Sequence, residues 1–295
     1  MGKELADLYP AARQTFEEAD QALGFKLSQV CFEGPDEKLK LTEVTQPAIL
    51  TVSVAAYRVL RSKGIAPDLV AGHSLGEYSA HVAAGTLEFA DAVRTVRNRG
   101  LYMQEAVPVG EGAMAAVLGM KLEDLQSLCA EAAQGQVCSP ANINSPDQIV
   151  ISGSKAAVER AAELAKQRGA KRAILLPVSA PFHCALMQPA QDRLEKDLHA
   201  LTFHPMQVPV VKNFDASPTG DPEQGRAALV RQVTGAVQWE GSMRALIAKG
   251  VDTFVEVGPG KVLCGLMRQI DRSRTCLNVE DEASLQKTAG HFVQA

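Results

Sequence analysis

The chain has 295 residues, of which 46% are hydrophobic and 22% are charged, and its formal net charge is −4. These values are typical of a globular chain that is long enough to bury a sizeable core. The charges are spread along the sequence without a long basic run, which argues against the concentrated basic surface that nucleic-acid binding requires. No apolar run approaches the roughly 20 residues that a membrane-spanning helix needs.

The cysteines and the first residues bear on the compartment. Six cysteines are scattered along the chain, with no CxxC pair and no metal-ligand spacing. We therefore predict neither a metal site nor a disulfide framework. The first residues lack the apolar segment of a signal peptide, so we expect a cytoplasmic protein.

The N-terminal part of the chain is predicted to be mainly helical. Apolar residues recur at helical spacing over 5–23, which indicates one amphipathic helix. A second helix is predicted near 45–63, between a Gln-Pro start and a glycine stop. The short apolar run at 68–71 is typical of a buried strand, and helical patterns follow over 77–84 and 89–106.

The stretch 112–177 has a pattern of its own. It alternates as strand, helix, strand, strand, helix and strand, with an Asn-Ser-Pro-Asp turn between the two central strands. The order βαββαβ is that of ferredoxin-like domains. We predict that residues 111–177 form such a small domain, inserted into a large α/β domain made of 1–110 and 178–295.

The C-terminal part is predicted to complete the large domain. Helices are predicted near 185–200, 225–234 and 245–249, and a strand at 253–257 precedes a Gly-Pro-Gly turn into a final helix. Together with the strand at 68–71, these elements favour a parallel sheet covered by helices.

A G-x-S-x-G motif lies between a predicted strand and a predicted helix. It places Ser74 on a sharp turn, where a side chain is exposed and the N–H groups of the next helix face an incoming carbonyl oxygen. The pattern alone equally fits a tight turn with a structural serine. Its position between strand and helix favours Ser74 as a nucleophile.

A nucleophilic serine needs a base. His183 follows a predicted strand end, which is where α/β sheets place catalytic groups. The other histidines are expected inside the elbow, packed on a helix, or in polar exposed segments: His73, His81, His199, His204 and His291. No aspartate is evident as a third member, so we expect a carbonyl oxygen to orient His183.

Several motifs together resemble one family. The segment Gly72-His73-Ser74-Leu75-Gly76-Glu77-Tyr78 resembles the G-H-S-L-G-E-[YF] signature of malonyl-CoA:acyl carrier protein transacylases and of the acyltransferase domains of fatty acid and polyketide synthases. Further matches occur in the expected order at 45–48, 99–104, 142–146 and 255–260. The resemblance covers essentially the whole chain and implies an α/β-hydrolase-like large domain that carries a ferredoxin-like small one.

The resemblance also implies a reaction. Malonyl-CoA would acylate Ser74 with His183 as the base, and the phosphopantetheine thiol of holo-acyl carrier protein would then collect the malonyl group. This ping-pong reaction uses no cofactor. Arg99 matches the arginine that pairs with the malonyl carboxylate, because a guanidinium offers two parallel donors. Without the resemblance, Arg99 would be read as one more arginine of an exposed helix face.

Other positions of the motifs carry expected roles. Gln232 matches the residue whose segment orients the catalytic histidine, and Leu75 would give an oxyanion N–H group. Gln46 and Asn144 are expected to line the pocket, although Asn144 could equally be only a turn residue. Phe182 resembles the malonyl-selecting form of its motif, in which a ring removes the room for a methyl branch.

The N-terminus departs from the family pattern. Members of this family begin with a strand that ends in F-P-G-Q-G-[SA]-Q, and this sequence matches only from just after it. We expect that the true start lies upstream of Met1. Without that segment, half of the oxyanion hole would be missing, which would reduce turnover by roughly 10²–10³.

Three alternatives stay open. The same elbow serves serine hydrolases and lipid acyl hydrolases, and a non-catalytic scaffold could keep the fold. The chain could also be the transacylase subunit of a malonate decarboxylase or a polyketide pathway. If the chain belongs to the family that it resembles, we expect a monomer that binds neither nucleic acid nor membranes. The acidic carrier protein would dock near Lys171 and Arg172, although a solvated strand end explains both charges equally well.

Overall fold

Helices make up the first part of the chain. The computed structural model describes residues 1–294, and helices alone precede the first strand. They are α1 (Lys3–Leu8), α2 (Pro10–Leu23), α3 (Leu27–Glu33), α4 (Asp36–Leu39) and α5 (Thr42–Ser62). Apolar side chains of α1, α2 and α5 enter the largest hydrophobic core together with those of the later helices 89–105, 188–200 and 222–232.

Downstream of α5, helices and strands alternate in a mixed α/β fold. The order is β1 (Val70–Ala71), α6 (Gly76–Ala83), α7 (Phe89–Glu105), β2 (Gly112–Leu118), α8 (Leu122–Ala133), β3 (Cys138–Ser145), β4 (Gln148–Ser154), α9 (Lys155–Gln167), β5 (Arg172–Leu175), a 3₁₀ turn (Ala185–Met187), α10 (Gln188–Ala200), β6 (Val210–Val211), β7 (Pro218–Thr219), α11 (Pro222–Gln232), α12 (Trp239–Ala248), β8 (Thr253–Val257), α13 (Val262–Ile270), β9 (Thr275–Val279) and α14 (Glu282–Gln294).

The single helix predicted over 5–23 is wrong, because α1 and α2 are separate. Tyr9 is extended between them, with φ −122° and ψ 121°, and Pro10 opens α2. The ring of a proline disfavours a helical conformation in the preceding residue, while proline itself suits the first helical turn. The apolar period continues across the break, which explains why the pattern indicated one helix.

The C-terminal part also differs from the prediction. Helix α11 begins three residues earlier than predicted, because the Asp221 side chain accepts a hydrogen bond from the Glu223 N–H and so caps it. Helix α12 spans 239–248, where only 245–249 was predicted. The helix after the Gly-Pro-Gly turn is not the last element, since β9 and α14 follow it.

The middle of the chain has the predicted βαββαβ order. Strands β2 to β5 form one antiparallel sheet with the order β3-β4-β2-β5. Side chains of a strand alternate between its faces, so Ala115 and Val117 pack against α8 and α9, while Met114 and Ala116 face the other way. This second face meets Phe182, which immediately precedes His183.

The predicted parallel pairing occurs among the outer strands, but in two sheets rather than one, and one strand pair is antiparallel. β1 pairs with β6, and β7 pairs with β6 on the other side in antiparallel orientation. β8 pairs in parallel with β9, and no ladder joins these sheets within residues 1–294. The register Ala71↔Val211 brings the segments after β1 and β6 to the same edge of the sheet. These segments carry Ser74 and Asn213.

Two further observations complete the fold. Cys264 of α13 and Cys276 of β9 form a disulfide, whereas the scattered cysteines were predicted to form no disulfide framework. Tertiary packing of α13 on β9 brings their Cα atoms within 5.6 Å, a separation that no sequence pattern reveals.

No helix within residues 1–294 combines the length and the apolar character that crossing a bilayer requires.

Gly100 permits the close approach of α7 to α5. A Cβ atom at this position would lie 2.6 Å from the Thr42 carbonyl oxygen and 2.7 Å from the Glu43 Cα atom. Both obstacles are backbone atoms, which move only with the start of α5. The neighbouring residue Arg99 therefore depends on a glycine for its place in the fold.

We expect Gly100→Ala to lower the free energy of unfolding by about 1–3 kcal/mol, because the added methyl group forces α7 away from α5. Gly265→Ala is the matched control, since a Cβ atom there meets nothing within 4 Å among the described residues. That change should be neutral or stabilising by about 0.5–1 kcal/mol. Urea unfolding of both variants measures the difference, and equal midpoints would contradict the assignment.

Candidate active site

Ser74 lies on a strained elbow between β1 and α6. Its φ is +53°, a left-handed conformation that is costly for a residue with a side chain. Gly72 makes this turn possible, because a Cβ atom there would lie 1.9 Å from the Gly76 carbonyl oxygen. Nothing within the described residues lies within 4 Å of a Cβ atom built on Gly76. Of the two motif glycines, the first is therefore the steric requirement.

The N–H groups of the elbow are nearly all in use. Ser74 N–H donates to the Asn213 side chain, and the N–H groups of Gly76, Glu77 and Tyr78 donate to carbonyls of the turn. No such bond is found for the Leu75 N–H within residues 1–294. This N–H lies directly after the nucleophile, where an oxyanion donor is needed.

Ser74 and His183 form a hydrogen-bonded pair. The Ser74 Oγ atom lies 2.8 Å from His183 Nε2, and His183 Nδ1 lies 2.8 Å from the main-chain oxygen of Gln232. A carbonyl oxygen only accepts, so Nδ1 carries the proton and Nε2 is left to accept the hydroxyl proton of Ser74. A main-chain carbonyl thus stands where a triad would have a carboxylate.

Burial keeps the His183 ring neutral. The residue is 3% exposed, and desolvation together with the nearby positive charge of Arg99 lowers its pKa to about 3. A neutral imidazole is the form that can take a proton from serine.

Arg99 is buried beside Ser74, which excludes the interpretation of Arg99 as an arginine of an exposed helix face. Arg94 and Arg97 of the same helix are exposed, whereas Arg99 is 2% exposed. Its Nη2 atom donates to Ser74 Oγ at 3.0 Å and to Gln232 Oε1 at 2.9 Å, and its Nη1 atom donates to Gln46 Oε1 at 2.6 Å. Burial lowers the pKa of Arg99.

Among residues 1–294, Arg99 forms no salt bridge, and its Nε atom has no hydrogen-bond partner. The Glu77 carboxylate acts on the Arg99 guanidinium only through space, from behind Gln232. A buried cation without a directly bonded anion is costly, so the guanidinium is suited to an incoming carboxylate.

The predicted pocket residues take different positions. Gln46 is buried and fixes Arg99 from α5, and its own Nε2 atom donates to Thr42 Oγ1. Asn144 is not a turn residue, since it lies in β3 and its Oδ1 atom is 2.8 Å from His73 Nε2. Phe182 is partly buried between the largest core and the second face of the four-stranded sheet.

The remaining histidines lie where they were expected. His73 turns its ring to Asn144, as described above, and not to Ser74. His81 is fully buried in α6 and packs edge-on against Phe203. His199 and His204 lie near surface carboxylates. None of these four rings is hydrogen-bonded to the nucleophile.

Two residues of the site were missed by the sequence analysis. Glu77 and Asn213 are fully buried and hydrogen-bond to the elbow and to Gln232. Glu77 belongs to the quoted motif, so its position next to the elbow was a usable signal. Asn213 had no signal, because only the parallel pairing of β1 with β6 brings it to Ser74. No group of three or more potential metal ligands occurs within residues 1–294.

Comparison with known proteins agrees with this geometry. Residues 1–292 match the family model described as "Acyl transferase domain". The chain is 50% identical over 283 residues to the malonyl CoA-acyl carrier protein transacylase of Escherichia coli strain K12, covering 96% of this chain and 92% of that protein.

Solved structures are equally similar. The malonyl CoA-acyl carrier protein transacylase of Coxiella burnetii is 43% identical with a TM-score of 0.96, covering 98% of this chain and 92% of that one. A malonyl-transacylase in complex with its type II PKS acyl-carrier protein is 47% identical with a TM-score of 0.96, covering 99% and 94%. The chain therefore belongs to the acyl transferase domain family and, within it, to the malonyl-CoA:acyl carrier protein transacylases.

We expect the reactivity of Ser74 to persist well below pH 6.5, because the lowered pKa keeps His183 neutral there. Arg99→Gln removes one cause of that lowering, so the pKa of His183 should rise and the acid limb should move to higher pH. The rate of Ser74 labelling by a fluorophosphonate, measured as a function of pH, gives the acid limb of the wild type and that of the variant. Arg97→Gln, an exposed change on the same helix, should leave the limb unmoved. Identical acid limbs for wild type and Arg99→Gln would contradict this assignment.

Proposed function

We propose that the chain transfers the malonyl group from malonyl-CoA to the phosphopantetheine thiol of holo-acyl carrier protein in fatty acid biosynthesis. The observation that carries the proposal is Arg99, a buried guanidinium bonded to Ser74 Oγ and without a salt bridge among the described residues. An acyl group that ends in a carboxylate would supply the missing charge while its thioester lies at Ser74. Malonyl has a single CH₂ group between its thioester and its carboxylate, and so short an acyl group suits a clamp directly beside the nucleophile.

The proposed first half-reaction forms malonyl-Ser74 and frees CoA. Ser74 Oγ attacks the thioester carbonyl while His183 Nε2 takes its proton, a transfer supported by their 2.8 Å separation. The Leu75 N–H donates to the tetrahedral oxyanion. The carbon–sulfur bond then breaks, and His183 returns its proton to the CoA sulfur.

The second half-reaction runs the same steps with a new thiol. His183 takes the proton of the phosphopantetheine thiol, whose sulfur attacks the malonyl-serine ester. The carbon–oxygen bond to Ser74 breaks, and His183 returns the proton to Ser74 Oγ. The ping-pong scheme therefore needs only side chains and thiols, with no cofactor.

Relatives support the choice of substrates. The E. coli protein that is 50% identical carries malonyl-CoA and acyl carrier protein in its printed name. The 47% identical structure is a complex of a malonyl-transacylase with its acyl-carrier protein. Phe182 resembles the malonyl-selecting form of its motif, and we infer that its ring would leave little room for the branch of methylmalonyl, an effect worth about 1–3 kcal/mol for one methyl group.

The proposal also covers the division of the chain into two domains. Residues 111–177 would be an inserted ferredoxin-like domain, supported by the sheet order β3-β4-β2-β5. Residues 1–110 and 178–295 would form an α/β-hydrolase-like domain, supported by the Ser74 elbow. We propose a monomer, and the cytoplasm stays the predicted compartment.

The carrier protein is proposed to dock along β5. Lys171 and Arg172 are exposed there, and the neighbouring side chains of Ile174 and Leu175 are about half exposed. An exposed strand with positive charge and apolar side chains suits an acidic partner. Lys171 is held 3.0 Å from Asp147, which leaves Arg172 as the charge best able to face the partner.

A hydrolase using the same elbow is the competing function. In hydrolysis, water would release the acyl group from Ser74. The Arg99 guanidinium favours carboxylate-bearing acyl groups in either case, so it does not distinguish the two reactions. The ratio of acyl transfer to acyl release decides between them.

Intact-protein mass after mixing with malonyl-CoA tests the first half-reaction. We expect a single malonyl adduct in the wild type and none in Ser74→Ala. Arg99→Lys should slow adduct formation from malonyl-CoA by about 10-fold or more, because a lysine lacks the paired donors for a carboxylate. Acylation by acetyl-CoA, which has no carboxylate, should change much less.

The second half-reaction follows from adding holo-acyl carrier protein to the adduct. We expect the malonyl group to move to the carrier thiol, faster than free malonate appears. Rapid release of malonate with no malonyl-carrier protein would contradict the proposal and favour the hydrolase. An absence of any Ser74 adduct would favour a non-catalytic scaffold.

Charge reversal tests the docking surface. We expect Lys171→Glu with Arg172→Glu to raise the KM for holo-acyl carrier protein several-fold and to leave the KM for malonyl-CoA unchanged, with the difference shrinking as salt is added. Lys166→Glu, an exposed change on α9, is the control. Unchanged carrier-protein kinetics in the double variant would dismiss this surface.

A further inference from the structure

Glu77 and Asn213 lie behind the Ser74–His183 pair and have no solvent exposure. Glu77 is the second residue of α6, and Asn213 follows β6 by two residues. Neither side chain bonds to Ser74 Oγ or to the His183 ring. Their contacts connect instead the backbone segments that carry these two groups.

Asn213 holds the elbow on both sides of His73. Its Nδ2 atom donates to the Gly72 carbonyl oxygen at 2.7 Å, and its Oδ1 atom accepts from the Ser74 N–H at 2.7 Å. A carboxamide offers one donor and one acceptor at a fixed separation, which matches these two backbone groups. The two bonds act on the turn that keeps Ser74 in its left-handed conformation.

Glu77 joins Asn213 to Gln232 through a single oxygen atom. Its Oε2 atom accepts from the Asn213 N–H at 3.0 Å and from Gln232 Nε2 at 2.7 Å. Gln232 Nε2 also donates to the Ser74 carbonyl oxygen at 2.9 Å. The carboxylate therefore connects the loop that clamps the elbow with the end of α11.

Three contacts agree on which way the Gln232 amide faces. Its NH₂ group donates to the Ser74 carbonyl oxygen and to the Glu77 carboxylate, and its Oε1 atom accepts from Arg99 Nη2 at 2.9 Å. The main-chain oxygen of Gln232 accepts from His183 Nδ1. One residue thus contacts both Arg99 and His183, and Glu77 holds its side chain from behind.

We propose that Glu77 and Asn213 are positioning residues that hold Ser74, His183 and Arg99 in their reactive arrangement. The substrate-dependent part of this inference rests on the proposed function. Asn213 acts on the nucleophile alone, through the elbow. Glu77 acts on all three groups, through Asn213 and Gln232.

The two residues should therefore differ in their kinetic effects. Asn213→Ala removes both clamps of the elbow, so we expect a kcat at least about 10-fold lower, with the KM for malonyl-CoA within about threefold of wild type. Glu77→Met keeps about the length of the side chain but removes the acceptor of the Asn213 N–H and of Gln232 Nε2. Gln232 is then held less firmly against Arg99 and His183, so kcat should fall and KM should rise together.

Labelling of Ser74 by a fluorophosphonate gives a readout that does not involve malonyl-CoA. We expect both variants to label at least about 10-fold more slowly than wild type, because misplacement by 1 Å can cost about 100-fold. His81→Ala is the matched control. His81 is equally buried in α6, and neither ring nitrogen has a hydrogen-bond partner among residues 1–294. Its loss should lower the unfolding temperature and leave the labelling rate of the folded protein unchanged.

The outcomes distinguish the positioning role of Glu77 and Asn213 from the proposed function. Wild-type labelling and turnover in both Glu77→Met and Asn213→Ala would overturn the inference, as would losses that only follow the folded fraction, as in His81→Ala. If Glu77→Met does not fold, Asn213→Ala alone decides through its labelling rate. If wild type transfers no malonyl group but the variants still label slowly, the proposed function fails and the positioning role stands.

Discussion

The site depends on one buried positive charge. Arg99 lies beside Ser74 with three neutral oxygen acceptors and, among residues 1–294, no salt bridge. Neutral acceptors satisfy the N–H groups, and the Glu77 carboxylate acts on the charge only through space, from behind Gln232. Burial first and this charge second lower the pKa of His183, so Arg99 helps to keep the ring neutral and is suited to an anionic acyl group. Tight packing of α7 on α5 at Gly100 makes this burial possible.

The second constraint is the strained conformation of Ser74. A serine with φ +53° persists only where its surroundings hold it. Gly72 leaves the space for the turn, and Asn213 binds the turn from the neighbouring parallel strand. The paired strands β1 and β6 are only two residues long, yet their register delivers both segments to one edge. Such short strands are sufficient here because the Asn213 side chain adds hydrogen bonds between the two segments beyond the paired strand residues.

The orientation of His183 illustrates how the backbone replaces an acid. Its Nδ1 proton is held by the Gln232 carbonyl oxygen, which fixes the tautomer as a carboxylate would. A neutral acceptor adds no negative charge, so burial and Arg99 keep the pKa of the ring low. The only carboxylate of this network, Glu77, lies one residue further back, behind Gln232, and burial raises its pKa to about 7.

The sequence by itself determined the mixed α/β class, the βαββαβ order of the middle segment and the motif that carries Ser74. These features depend on local periods and local turns, which neighbouring residues encode. It missed the break at Pro10 because the apolar period continues across it, and it did not indicate the Cys264–Cys276 pair. Only the tertiary structure decided that Arg99 is buried, that Asn144 meets His73 and that Asn213 clamps the elbow. Each of these contacts joins segments far apart in the chain, and such contacts arise from strand pairing and helix packing, which no local pattern records.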